Sequence, residues 1–429
     1  MLDNLKRLFL GKKVKKRDAY TWNMVQSILI SFQSAILLMV INRTNDLNSA
    51  GVFSIAYAVA SLIYYLGEYG VRKFQVTDVN EQVSFSEYYT HRVMTCAIAF
   101  IATIIYTGAG IYSGRFDAFK AQIILIVCIV KIIEAYCDVY FARFQQCGRL
   151  DVAAKASTYR VALPVLLCIC CLVITHNMLI SMWIWLIANV FAFYTSFKLI
   201  APEFGTARLV AHKQSLIMIT RTCLPLFLGN FLLLYIGNAP KYAIDSIMSN
   251  EDQARFNFLF MPVFVIGMLA NFVFNPILAE LAADWSAGNY RSFYGKVIRQ
   301  SVIILAITLL AVIVAMSFGC FALGVIFHSD LTGYKMHLTI LMIGGGLLAF
   351  VNFLAVVITV LRGQRFLMIG YCISAAAAGL FSEIIVKEYG LTGACVLYTM
   401  LMLFVTLAFL VIFLIYNKMS RTKEGRRAS

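Results

Sequence analysis

"AQIILIVCIVKIIEAYCDVYFARFQQ", residues 121–146, is the stretch whose reading decides the fold. It opens with an uncharged apolar run and then places Lys131, Glu134 and Asp138 at i, i+3 and i+7. On an α-helix these three share one stripe, and Gln145 continues it. Lys131 falls near the middle of the run, and Asp138 lies about 10 Å further along at the helical rise per residue. A charge at the centre of a membrane-spanning helix costs about 2.5–3.5 kcal/mol on translocon-insertion scales, so charges kept there point to a use. Two readings fit. Lys131 and Glu134 neutralise each other against neighbouring helices, or the stripe faces inward and meets a charged substrate or a coupling cation. Two carboxylates against one lysine leave a spare negative charge, which favours a cation or proton site.

The rest of the chain is of the same kind. Its 429 residues are 61% hydrophobic and only 13% charged, with a mean hydropathy of +0.81. A soluble domain of this size needs more charge to cover its surface. Apolar runs reach the roughly 20 residues that a bilayer-crossing helix requires, and the ten-residue alternating segments of a membrane barrel are absent. The expected fold is all-α and membrane-integral, with about twelve transmembrane helices. The spans fall near 20–41, 48–67, 93–112, 119–141, 157–176, 178–200, 215–236, 254–280, 300–327, 336–361, 366–386 and 391–416. This divides the chain into a basic N-terminal segment (1–19), a first six-helix bundle (20–200), a linker (201–214), a second six-helix bundle (215–416) and a basic tail (417–429).

Charge then orients the spans. Most of the 36 Lys and Arg residues lie at the two ends and in the even-numbered gaps, while the odd-numbered gaps hold only Arg43, Arg115, Lys120, Lys241, Arg255, Lys335 and Lys387. That asymmetry places both termini in the cytoplasm. The net charge of +15 is spread through these gaps rather than gathered into a nucleic-acid patch. Anionic lipid and an anionic substrate are the expected partners, with no nucleic acid. "LDNLKRLFL" (2–10) suits an interfacial amphipathic helix, with Leu2, Leu5 and Phe9 toward lipid. The apolar stretch behind it is too long for a cleavable signal. The eleven cysteines sit mostly inside apolar segments without paired CxxC or Cys/His spacing, so no metal and no cofactor is expected. No gap holds an extramembrane domain. The largest, 68–92 and about 281–299, are cytoplasmic on this topology, so the chemistry must lie within or between helices, as in a carrier.

Other polar positions stand out. "YGVRKFQVTDV" (69–79) sets Arg72 and Lys73 at the cytoplasmic end of the second span. Arg221 precedes Pro225 in "TRTCLPLFLGN", where the missing amide proton should kink the seventh span. An arginine there either lines a water-filled cavity or snorkels to the interface. Pro262 and Pro276, with Asn271, Asn275 and Glu280 nearby, suggest a second broken helix. Gly344, Gly345 and Gly346 lack the surroundings of a phosphate loop and suit close helix packing. A faint six-plus-six repeat pairs Asn42, Arg43 and Phe53 with Asn238, Lys241 and Phe256.

The sequence resembles the polysaccharide (Wzx-type) flippases of the multidrug/oligosaccharidyl-lipid/polysaccharide (MOP) exporter superfamily. The resemblance lies in "AGVFSIAYAVASLIYYLGEYGVRKFQVTDV" (50–79) followed by "SFSEYYTHRV" (84–93), in "GNAPKYAID" (237–245), in "NPILAELAADW" (275–285) and in "VLRGQ" (360–364). It implies two six-helix bundles around a central cavity that opens to each side in turn. It implies a lipid-linked oligosaccharide on a polyprenyl (pyro)phosphate as substrate, carried from the inner to the outer leaflet of the bacterial or archaeal cytoplasmic membrane. Such units feed capsule, O-antigen or other lipopolysaccharide synthesis, which makes polymerase and export machinery further partners, and H+ or Na+ the coupling ion. A cationic cavity would draw on Arg43, Arg72, Lys131, Arg221 and Lys241, and coupling on Glu134, Asp138 and Glu280. The alternatives are a cation antiporter of the same superfamily, which calls for an acidic cavity, and a membrane polymerase or glycosyltransferase, which calls for a large external loop or an acidic metal motif.

Overall fold

The structure, a computed structural model, describes residues 6, 9–11, 16–78, 81–274, 277–361 and 363–428. Among the described residues it is helical throughout, with no strands. The helices are α1 (Lys16–Thr44), α2 (Leu47–Glu68), α3 (Val71–Thr77), α4 (Phe85–Tyr112), α5 (Ala118–Gln146), α6 (Leu150–Thr175) and α7 (Met178–Ile200). They continue as α8 (Lys213–Ile247), α9 (Asn250–Phe274), α10 (Leu278–Ser286), α11 (Tyr290–Val314), α12 (Cys320–Phe327), α13 (Lys335–Val360) and α14 (Gln364–Ala428). A π-helical turn, Ala315–Gly319, joins α11 to α12 without a break. Nine stretches among the described residues are long and apolar enough to cross a membrane. α5 and α9 are of spanning length as well, and α14 contains two spans that meet at Gly390 (φ 55, ψ −137). Each of the twelve expected spans thus has its helix, in a multi-pass membrane protein.

Helix ends differ from expectation where polar residues act as caps. The third span, expected from residue 93, begins at Phe85 because Ser84 and Glu87 form a reciprocal capping box. The Ser84 amide donates to Glu87 Oε2 at 2.7 Å. Such a box satisfies amides that the first helical turn leaves open. Asp46, Asp117 and Asn177 start α2, α5 and α7 as simple caps, each side chain accepting one backbone amide, from Ser49, Lys120 and Ile180. The tight link between the fifth and sixth spans is also real: His176 closes α6 in the left-handed region and Asn177 starts α7. The seventh span, expected to stop near 236, runs on as α8 to Ile247, through both Pro225 and Pro240. The expected eighth span is two elements, α9 and the short amphipathic α10; Asn275 and Pro276 between them lie outside the described residues, as do Leu2 and Leu5.

The chain divides into two compact units, residues 1–231 and 232–429, and α8 contributes to both. In the first unit α2 packs on α5, α4 packs on both, and α6 lies against α1 and α7. Segment 201–214 is fastened along α4, where the Arg208 and Val210 amides donate to Ser86 Oγ and Thr90 Oγ1. Phe9 is buried, with its ring edge-on to Tyr159 at 5.6 Å. In the second unit α13 is central, packed against α9, α11 and α14. The three glycines make this possible. A Cβ on Gly344 would lie 2.6 Å from the Tyr398 ring, on Gly345 3.2 Å from Val263 and Ile266, and on Gly346 2.2 Å from Thr308. Each admits a different neighbour of α13.

Candidate functional site

The charged residues of the first unit meet where α2 ends. Tyr69 and Gly70 both take left-handed conformations (φ 53 and 69), which stops α2 and redirects the chain into α3. The Gly70 amide donates to the buried Glu68 carboxylate at 2.8 Å. In the first turn of α3, Arg72 reaches back to α5, its Nη1 2.5 Å from Asp138 Oδ1 and its Nη2 3.2 Å from Gln145 Oε1. Arg92 of α4 is wholly buried; it donates to the Gly67 carbonyl at 2.7 Å and sets Nη2 3.5 Å from the other Asp138 oxygen. Glu68 lies in the field of the same guanidinium. Asp138 thus serves two arginines from two helices.

One turn earlier on α5 a second group forms. Lys131 Nζ lies 2.8 Å from Glu134 Oε2 and 4.8 Å above the Tyr57 ring. Arg160 of α6 stands 3.6 Å from Glu134 Oε1 and 3.4 Å from Asn189 Oδ1 on α7. Gln33 of α1 donates to Tyr57 Oη at 2.9 Å. The two groups together hold Arg72, Arg92, Lys131 and Arg160 against Glu68, Glu134 and Asp138. The balance is one positive charge. The spare negative charge expected from residues 121–146 is therefore absent, because α3, α4 and α6 each bring a guanidinium that a single helix cannot reveal. Buried ions of this kind persist only with partners at short range, since their desolvation is expensive.

Lys241 presents the opposite case. It is buried on α8, with Nζ 4.6 Å above the Phe260 ring of α9. Among the described residues no carboxylate lies within ion-pairing distance of it.

No protein-family model and no curated protein matches the chain. Solved structures do. A multidrug resistance MATE family transporter of the MOP superfamily, in an inward-facing conformation, superposes with a TM-score of 0.67 at 14% identity, over 98% of this chain and 99% of that one. A MOP superfamily transporter of Pyrococcus furiosus, described by the reverse polarity of its binding pocket, gives 0.60 at 13% identity over 94% of each chain. A MATE transporter of Vibrio cholerae gives 0.58 at 13% identity over 95% and 97%. The fold is that of the MOP-superfamily transporters.

Within this MOP fold, the remaining expected site residues stand apart from the buried network. Arg43 is exposed in the last turn of α1, and Arg221 is exposed on α8. Glu280 is exposed on α10 and pairs at 2.9 Å with Lys296, which also holds Asp284 at 2.9 Å. The Ser292 hydroxyl and the Lys296 ammonium keep the Asp284 carboxyl below the usual carboxylate range. Glu280 thus belongs to a surface clip between α10 and α11. Sequence reading missed Arg92, Arg160 and Glu68 as site residues. The signal for Arg92 was present: Ser84-x-x-Glu87 starts a helix eight residues upstream of the apolar run and carries Arg92 inside it. Glu68 carried none, since its role depends on the left-handed turn that follows.

Proposed function

We propose that the protein is a flippase for lipid-linked oligosaccharides, moving a polyprenyl (pyro)phosphate-sugar from the inner to the outer leaflet of the cytoplasmic membrane by alternating access. The observation that carries this reading is the sign of the buried charge. The network of the first unit has one cation in excess, the half-buried Arg72, and among the described residues Lys241 of the second forms no ion pair. A site for a cationic drug needs the reverse, so the cation-antiporter reading is the weaker one. A (pyro)phosphate leaving water for a membrane interior faces a penalty of several kcal/mol or more, which cations offset. Arginine is suited to this because its planar fork matches phosphate oxygens two at a time. Arg72 is the half-buried member, so it is the residue we assign to first contact with the head group, with Lys131, Arg160 and Lys241 deeper. Glu134 and Asp138, each shared between two cations, are assigned to coupling with H+ or Na+. Both termini are taken as cytoplasmic, with a polymerase consuming the product.

The test is translocation of a fluorescent polyprenyl pyrophosphate-linked oligosaccharide in proteoliposomes holding the full-length protein. Wild type should move it, and Arg72→Ala should slow it while reconstituting to the same level. Transport of cationic dyes with no movement of the lipid would overturn the assignment in favour of the antiporter.

A further inference from the structure

Asp138 sits between two arginines that are not alike. Arg92 is fixed: it is fully buried, and its Nη1 shares the Gly67 carbonyl with the Thr95 hydroxyl, each at 2.7 Å. Gly67 itself keeps α2 close to α5, since a Cβ there would lie 3.0 Å from the Ala135 Cβ. Arg72 is the freer of the two. It rides on α3, a helix of seven residues, and its side chain is 28% exposed. The two also hold Asp138 unequally. Arg72 Nη1 lies 2.5 Å from Oδ1, whereas Arg92 Nη2 stands 3.5 Å from Oδ2. A charge-assisted bond spans roughly 2.7–2.9 Å, so the second gap is about 0.7 Å too wide for one. Among the described residues Asp138 Oδ2, Arg92 Nη2 and Arg92 Nε make no hydrogen bond. Buried polar atoms are as a rule paired. Here a carboxylate oxygen and a guanidinium face each other without a bond, a short side-chain turn from forming one.

We infer that Asp138 occupies Arg72 in place of the substrate's phosphate, and that Arg92 is the positioning residue that receives Asp138 when the phosphate displaces it. This rests on the flippase reading and describes how its first contact is made. A guanidinium fork matches carboxylate and phosphate in the same way, so the two compete for Arg72. The displaced carboxylate must keep a counter-charge, because a buried ion left without one is expensive. Arg92 supplies it without moving, through donors that already point at Asp138 and are otherwise unused. Glu68 does not fill that place: it lies in the field of Arg92, but its Oε2 accepts the Gly70 amide. Arg92 thus touches no substrate and acts through Asp138. The coupling role proposed for the same carboxylate is read separately, by the response of transport to the ion gradient.

Isothermal titration calorimetry on the full-length protein in nanodiscs of zwitterionic lipid tests the exchange, with farnesyl pyrophosphate as the probe. Asp138→Asn removes the competitor and should bind the probe about tenfold more tightly than wild type, the value of one charge-assisted contact. Adding Arg72→Ala to Asp138→Asn should cancel that gain. Arg92→Met leaves Asp138 without a second partner and should weaken binding by about tenfold. In Arg92→Met combined with Asp138→Asn that loss should vanish, and binding should match Asp138→Asn alone. The combined variant removes one charge of each sign, which guards against loss of the fold. A purely structural Arg92 would instead weaken binding equally in both backgrounds. That result, or binding by Asp138→Asn no tighter than wild type, would overturn the exchange. The flippase reading is scored separately in the proteoliposomes. Translocation without tighter binding by Asp138→Asn sinks the exchange alone, and tighter binding without translocation sinks the flippase alone.

Discussion

Asp138 is the residue on which most depends. It compensates Arg72 at 2.5 Å and Arg92 at 3.5 Å, and Arg92 has no access to water. Removing one partner from a buried ion group leaves the others uncompensated, a loss of about 3–5 kcal/mol. Asp138→Asn should therefore lower the thermal unfolding midpoint in detergent markedly. Arg72→Met, at a half-buried position, should lower it less. A midpoint unchanged in Asp138→Asn would mean that Arg92 is held by its Gly67 hydrogen bond alone. Lys241 predicts the converse. An ammonium buried without a counter-charge costs stability in the empty protein, so Lys241→Met should hold or raise the midpoint while export falls. A fall in both would reduce Lys241 to a packing residue.

At the scale of elements, the glycines of α13 give a graded test. A methyl on Gly346 would fall 2.2 Å from Thr308, whereas one on Gly345 meets Val263 and Ile266 at 3.2 Å. Overpacking of this kind costs about 1–3 kcal/mol. Gly346→Ala should destabilise the protein clearly and Gly345→Ala only slightly, as read by unfolding midpoints; the reverse order would show that α11, which carries Thr308, yields more readily than α9. The same elements show what was legible in the sequence. Every spanning helix was, because a run of about twenty apolar residues has few other solutions in a bilayer. Their ends were not. Arg92 and Lys241 were assigned to gaps because a charge reads as an end when hydropathy alone is followed. Both helices run on, α4 from the Ser84 capping box and α8 through Pro240. The stripe Lys131, Glu134 and Asp138 was visible as a stripe, but the sign of the site was not. That sign depends on Arg72, Arg92 and Arg160 arriving from three other helices, and no spacing within α5 contains it.

For the whole molecule, the proposed mechanism makes energy coupling separable from substrate binding. Glu134 and Asp138 are the two acidic groups of α5 buried within the spans, and each bridges two cations. If they carry the coupling ion, Glu134→Gln combined with Asp138→Asn should leave reconstituted protein whose residual translocation no longer responds to collapse of the ion gradient. Residual activity that still falls with the gradient would move coupling elsewhere. The experiment requires the double variant to be recovered folded, which its own unfolding midpoint in detergent establishes first.

The joint at Gly390 has a consequence for how the protein is made. One residue in a backbone conformation suited to glycine separates two spans, with no intervening loop. With so little chain between them, the two spans are expected to enter the membrane together, as a hairpin. Lengthening that joint by a few flexible residues would let the two insert one after the other, converting a concerted step of biogenesis into a sequential one.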